Sequence, residues 1–263
     1  MKTAPAKNPD GRPGLFVPID HRDVVKPRPP TFEYAEITKL ILRDVWAIQG
    51  MLGELKPFVE HAALAEIPQK EQSPGEPYWN NGYFSGGDAR LAFAIPALFK
   101  PKTIIEIGSG HSTRFMRKSI KTFGLETRLV SIDPEPRAEI AGIADEIIRR
   151  SVLDVPLADF DRLGPGDILF HDGSHLTFNG TDTVRLFLEI LPRIKPGVLV
   201  HIHDICLPFE YVADFDGRQY NEQYMLAAAL LFGNCWQIRA PLCYLATRGL
   251  YPHSGVSFWM AKQ

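Results

Sequence analysis

Apolar residues in the first part of the chain recur mostly three or four positions apart. From about Thr31 onward Ile37, Leu40, Ile41, Val45, Ile48, Leu52 and Leu55 follow this spacing, which predicts one long amphipathic helix reaching about Leu55. Its stripe covers either the chain's own core or the same stripe on a second copy, so a homodimer is one expectation. Beyond Pro101 the period changes. "TIIEI", "RLVSI", "EIIRR", "DILFH" and "GVLVHIH" are short β-rich runs separated by helix-length connections, and "NCWQIR" and "VSFWMA" add two more after the helix-like "NEQYMLAAALLF". This pattern predicts an α/β fold: a mainly parallel seven-stranded sheet with helices on both faces, right-handed crossovers, and an N-terminal helical extension. Any ligand belongs at the carboxyl ends of its strands. The expected division is a proline-rich arm over 1–30, a helical extension over 31–100 and the α/β core over 101–263. No internal repeat is visible.

Composition narrows the range of partners. Lysine plus arginine number 29 against 31 aspartate plus glutamate, which leaves no electrostatic footprint for nucleic acid or an anionic membrane. A small-molecule partner is expected. Cys206, Cys235 and Cys243 are odd in number and lack a C-x-x-C spacing, so they read as reduced thiols rather than a disulfide framework or zinc site. The opening carries Pro5, Pro9, Pro13, Pro18, Pro27, Pro29 and Pro30 without an apolar secretory core. The expected location is therefore cytoplasmic.

The stretch "TIIEIGSGHSTRF" places Gly108 and Gly110 between a strand and a helix, where glycine lets the backbone turn tightly and approach a ligand. A dinucleotide fingerprint needs a third glycine at the position of Thr113, which weakens a nicotinamide oxidoreductase reading. Glu106, just before the turn, would repel a phosphate and suits a cationic or zwitterionic ligand. Asp133, after the second strand, can accept hydrogen bonds from both hydroxyls of a ribose.

"EIGSG" followed by "SIDP" resembles motifs I and II of class I S-adenosylmethionine-dependent methyltransferases. "DILFHDGSH", "LFLEILPRIKPGVLVHIHDI" and "NEQYMLAAALLF" resemble a bacterial branch of that superfamily, the methyltransferase-24-like proteins, from about Trp79 to Trp259. The resemblance implies a Rossmann-like fold that binds S-adenosylmethionine, with the segment before the first strand capping the cofactor. Glu106, Gly108 and Gly110 would face its methionine part and Asp133 its ribose. Asp154 would meet the adenine edge, or else cap the turn that begins "VPLADF". Asn81, Phe84 and Asp88 would lie against the cofactor. Ser112 stands where the motif often has another glycine, and can cap the helix.

"HDGSH" and "HIHDI" end the fourth and fifth strands. His201 and His203 share one strand face, and His203 with Asp204 lies nearer the strand end. His171 and His201, inside apolar runs, read as core histidines. Two devices could lower the barrier to methyl transfer onto a hydroxyl: a histidine base, His175 or His203, or a divalent ion. In metal-dependent O-methyltransferases of the catechol type an acidic residue after strand four and a pair after strand five hold magnesium. Asp172, His203 and Asp204 occupy those places, which makes Asp172 a catalytic candidate beside the histidines. The histidine departs from an oxygen-only set and admits manganese, iron, zinc or nickel besides magnesium. Asn221, Glu222 and Gln223 either reach the acceptor pocket or form a solvated helix start. The expectation is an S-adenosylmethionine-dependent O-methyltransferase acting on a small molecule. N-methylation and a non-catalytic binding protein on the same fold remain alternatives.

Overall fold

The computed structural model describes residues 26–136 and 140–263; most of the proline-rich opening lies outside them. All seven β-rich runs form strands: β1 (Thr103–Ile107), β2 (Arg128–Ile132), β3 (Glu146–Ile148), β4 (Ile168–His171), β5 (Leu199–Ile202), β6 (Trp236–Pro241) and β7 (Phe258–Lys262). They make one sheet in the order β3-β2-β1-β4-β5-β7-β6. The first five run parallel, and β7 joins β5 and β6 antiparallel. β4 and β5, flanked on both edges, consist wholly of buried residues, as expected of central strands covered on both faces. β1 and β4 are adjacent, as are β4 and β5, so the loops after these three strands meet at one edge of the sheet. Among the described residues no helix is long and apolar enough to cross a membrane.

The N-terminal stripe forms two helices rather than one. α1 (Ala35–Arg43) and α2 (Val45–Val59) meet at Asp44. The Asp44 carboxylate accepts the backbone N–H of Ile238 in β6 at 2.8 Å and pairs with Arg43. The break thus ties the helices to the edge strand. Ile37, Ile41, Ile48, Met51 and Leu55 are buried, with α2 against β6 and the helix α4 (Gly86–Phe99), so the stripe is used within the chain and gives a homodimer no support. α3 (Ala62–Ala65) is a single turn between α2 and α4. Truncating Leu55 to alanine should remove buried methyl groups and leave a cavity, at a cost of about 2–5 kcal/mol. Equilibrium denaturation checks this; an unchanged midpoint would show that the stripe is not core.

Candidate active site

At the end of β1, Gly108 has φ +76°, and a Cβ built there would collide with the carbonyl oxygen of Asp172. Glycine is required because the ends of β1 and β4 touch at this point. α5 (His111–Phe123) begins three residues later, and Thr113 accepts the Gly110 N–H at 2.9 Å. Glu106 is fully buried beneath the turn and accepts the hydroxyls of Ser112 and Thr113, each at 2.6 Å, and Ser131 at 3.0 Å. Its carboxyl and the Ser112 hydroxyl therefore brace strand end to helix start and are directed at each other, not at an open surface.

Burial pushes the Glu106 carboxyl from 4.5 up to about 7, against the three hydroxyls that favour its charge. The folded state then holds a proton that the unfolded chain releases near pH 4.5. The resulting stabilisation is full below about pH 4.5 and is lost as pH rises through about 7, by about 3 kcal/mol. Glu106→Gln should remove this pH dependence. Its stability relative to the parent should rise between about pH 5 and about pH 8 in denaturant titrations, and a constant difference would refute the assignment.

Beside the turn lies a cavity of about 440 Å³ bordered by Gly108, Ser109, Asp133, Leu153 and Asp172. This is within the usual size range of small-ligand sites. Asp133 stands in its wall. One of its oxygens accepts the Ser109 N–H at 2.7 Å and the other the Glu135 N–H at 2.8 Å, which aims the carboxylate and leaves lone pairs for a diol. Asp154 is exposed at the end of a short turn (Val152–Asp154), and Ser151, Val152 and Leu153 border the cavity instead. A smaller hollow joins Phe84, Gly110 and Ser112 to Asp172. Asn81 spends its amide on the backbone of Tyr78, Tyr83 and Phe84, so it shapes the loop that presents Phe84. Asp88, in the first turn of α4, accepts the N–H groups of Val256 and Ser257 and points its other oxygen toward His203 Nε2, 3.5 Å away.

Asp172 follows β4, and His203 with Asp204 follows β5. One ligand atom from each of the three lies within 4.8 Å of the others. His203 Nδ1 is 3.6 Å from Asp172 Oδ1 and 3.3 Å from Asp204 Oδ1. Asp204 reaches back by adopting φ +54°, a left-handed conformation that costs a non-glycine residue roughly 1–2 kcal/mol. Two carboxylates and an imidazole, with a third carboxylate behind the imidazole, fit a divalent ion. His175, also left-handed at φ +60°, places Nε2 3.3 Å from both Asp172 Oδ1 and Asp204 Oδ2.

Burial would raise the Asp172 carboxyl, but the charges and hydrogen bonds of His203 and His175 hold it well below the usual range. Burial would lower both histidines, yet the carboxylates around them hold them well above 6.5. Asp204 is raised, chiefly by burial. His201 behaves as a core histidine: it stacks on Phe170 with centroids 3.7 Å apart, bonds Ser257 at 2.9 Å and is driven neutral by burial.

His171 does more than fill the core. Its Nε2 is 3.1 Å from Glu222 Oε1, while Glu222 Oε2 is 3.0 Å from His175 Nδ1. Glu222 begins α6 (Glu222–Phe232) and is fully buried; the two histidines overcome its burial and pull its carboxyl down to about 2. A glutamate at a helix start reads equally well as a solvated first turn, so only the fold exposes this contact. Asn221 accepts the Thr177 N–H at 2.6 Å and Gln223 the Cys206 N–H at 3.1 Å; both hold loops rather than open onto a pocket.

Residues 105–205 match the family profile described as a methyltransferase domain. No curated protein sequence matches the chain. Among solved structures, an O-methyltransferase from Bacillus cereus in complex with S-adenosylhomocysteine is 14% identical over 86% of this chain and 99% of that one, with TM-score 0.40. TomG from Streptomyces achromogenes, an O-methyltransferase of tomaymycin synthesis in complex with S-adenosylmethionine, is 16% identical over 86% and 98%, with TM-score 0.42. A cmcI structure described with Mg and S-adenosylmethionine is 17% identical over 66% and 72%, with TM-score 0.42. The matched segment 105–205 carries the glycine turn, Asp133 and the Asp172–His203–Asp204 corner, so its similarity to a methyltransferase domain falls on the residues that form the site.

Proposed function

We propose that this protein transfers the methyl group of S-adenosylmethionine to a hydroxyl of a small molecule, with a divalent ion held by Asp172, His203 and Asp204. The observation behind it is the convergence of those three donors within 4.8 Å, one of which, Asp172, also borders the cavity lined by the glycine turn and Asp133.

In this reading Asp133 fixes the ribose, and Gly108 and Gly110 let the cofactor's methionine end approach the backbone. The sulfonium is already activated, so the protein has to align the acceptor in line with the methyl group and remove its proton. A divalent ion at this corner supplies Lewis acidity that lowers the pKa of a bound hydroxyl. His175 Nε2, 3.3 Å from both carboxylates, holds them at the corner, and Asp88 behind His203 fixes the ring so that Nδ1 faces it. A nitrogen donor between two carboxylates favours manganese, iron, zinc or nickel over magnesium.

The test is mass spectrometry of the purified protein for retained cofactor and metal, followed by a screen of phenol, sugar and peptide-derived hydroxyl acceptors for gain of one methyl group. Transfer to amines alone would replace the hydroxyl reading with N-methylation. A protein that retains cofactor but methylates nothing would favour a binding role.

A further inference from the structure

Glu106 does not reach the cofactor, because its two oxygens accept the hydroxyls of Ser112, Thr113 and Ser131. The amino-acid end of S-adenosylmethionine therefore needs other partners. His111, the first residue of α5, borders the small hollow between Phe84 and the glycine turn. Ser109 and Asp172 border both that hollow and the larger cavity, so a ligand seated at Asp133 can extend to His111. This histidine is 9% exposed, and its Nδ1 is shut off from solvent with no hydrogen-bond partner among the described residues.

Two rings from the segment before α4 fix the orientation of the imidazole. Tyr78 meets it edge-on with centroids 5.3 Å apart, and Tyr83 lies nearly parallel to it, at 10° and 6.1 Å. The Asn81 amide holds the turn between the two tyrosines through the backbone of Tyr78, Tyr83 and Phe84. Buried polar atoms are normally paired, and one left unpaired beside a cavity points to a ligand that pairs it. The surroundings select the sign of that ligand. The first N–H groups of a helix have no intrahelical acceptor and lie at its positive end, where an anion is favoured. α5 runs for 13 residues, and Arg114, one turn on, is 5% exposed and pairs with Glu71 at 2.8 Å. Burial and then the Arg114 charge hold the His111 imidazole below its usual pKa and so neutral at pH 7, a state in which one ring nitrogen donates.

We propose that His111 is a cofactor-binding residue: its imidazole donates to the α-carboxylate of S-adenosylmethionine at the start of α5, from a ring position held by Tyr78 and Tyr83. The inference rests on the reading of the larger cavity as the S-adenosylmethionine site. The carboxylate gives the ring the acceptor that the chain does not supply, and a hydrogen bond to an ionised group is among the strong ones. His111 thereby separates cofactors that carry an amino acid from nucleosides that lack one.

The experiment is calorimetric titration of the 263-residue protein and of His111→Phe, which keeps a flat ring against the tyrosines. The ligands are S-adenosylhomocysteine and methylthioadenosine, a thioether of the same adenosine without the amino acid. His111→Phe should weaken S-adenosylhomocysteine binding by about 10- to 100-fold, the usual effect of one lost charge-assisted hydrogen bond, and methylthioadenosine binding by less than about twofold. Equal losses for the two ligands, or an unchanged affinity for S-adenosylhomocysteine, overturn the proposal. Nitrogen NMR of the unmodified protein, labelled in its histidines, gives a reading that needs no folded variant. The His111 signals should move on addition of S-adenosylhomocysteine and stay on addition of methylthioadenosine, and a response to both alike or to neither overturns the proposal as well. An unmodified protein that binds neither ligand overturns this inference together with the cofactor reading, whereas one that binds both and loses them alike in His111→Phe overturns this inference alone.

Discussion

Chelating divalent ions is expected to abolish methyl transfer, and adding back Mn2+ or Zn2+ to restore it. An ion stabilising the charge that develops on the acceptor oxygen contributes on the order of 4 kcal/mol, about a thousandfold in rate. Asp204→Ala should show the same loss without chelator, since it removes a donor 3.3 Å from His203 Nδ1 but none of the contacts of Glu106 or Asp133 with the glycine turn. A mechanism run by a histidine base alone gives a different outcome: turnover survives chelation, while His175→Ala or His203→Ala costs roughly 100-fold to 10,000-fold.

The second large effect concerns the cofactor. Asp133→Ala should weaken S-adenosylmethionine binding by two charge-assisted hydrogen bonds, each about 1.5–3 kcal/mol, which together correspond to about a hundredfold to ten-thousandfold in affinity. Part of this loss would come from the loop, because Asp133 also accepts the N–H groups of Ser109 and Glu135. Asp133→Asn keeps one oxygen and the shape, and should fall between parent and alanine variant. Calorimetric titration of the folded variants reads both. Parent-like affinity in Asp133→Ala would place the ribose elsewhere.

The sheet was legible because its first five strands are short apolar, β-rich runs with glycine, proline or charge at their borders. The reaction corner was legible for a related reason: Asp172, His203 and Asp204 end neighbouring parallel strands, and such ends converge. The features that were not legible depend on partners far away in sequence. The break at Asp44 answers to the N–H of Ile238, 194 residues on, and nothing around Asp44 marks it. Glu222 carries the same local signal as any acidic residue in a first helical turn; only the fold brings His171 and His175 to its two oxygens. Family likeness placed Asn81 and Asp88 near the cofactor. Their hydrogen bonds go to backbone groups around Phe84 and Val256, a role that residue type alone does not reveal. Asp154 illustrates the reverse: a carboxylate of fitting type lies at the exposed end of a turn whose preceding residues border the cavity.

Titration of the 263-residue protein with S-adenosylmethionine in a calorimeter, with and without Mn2+, reads cofactor and metal uptake together. Saturable binding of one cofactor per chain is expected, abolished or sharply weakened in Asp133→Ala. One Mn2+ per chain should bind as well, and be lost in Asp204→Ala without loss of cofactor. A folded protein that takes up neither S-adenosylmethionine nor S-adenosylhomocysteine would contradict the proposed function.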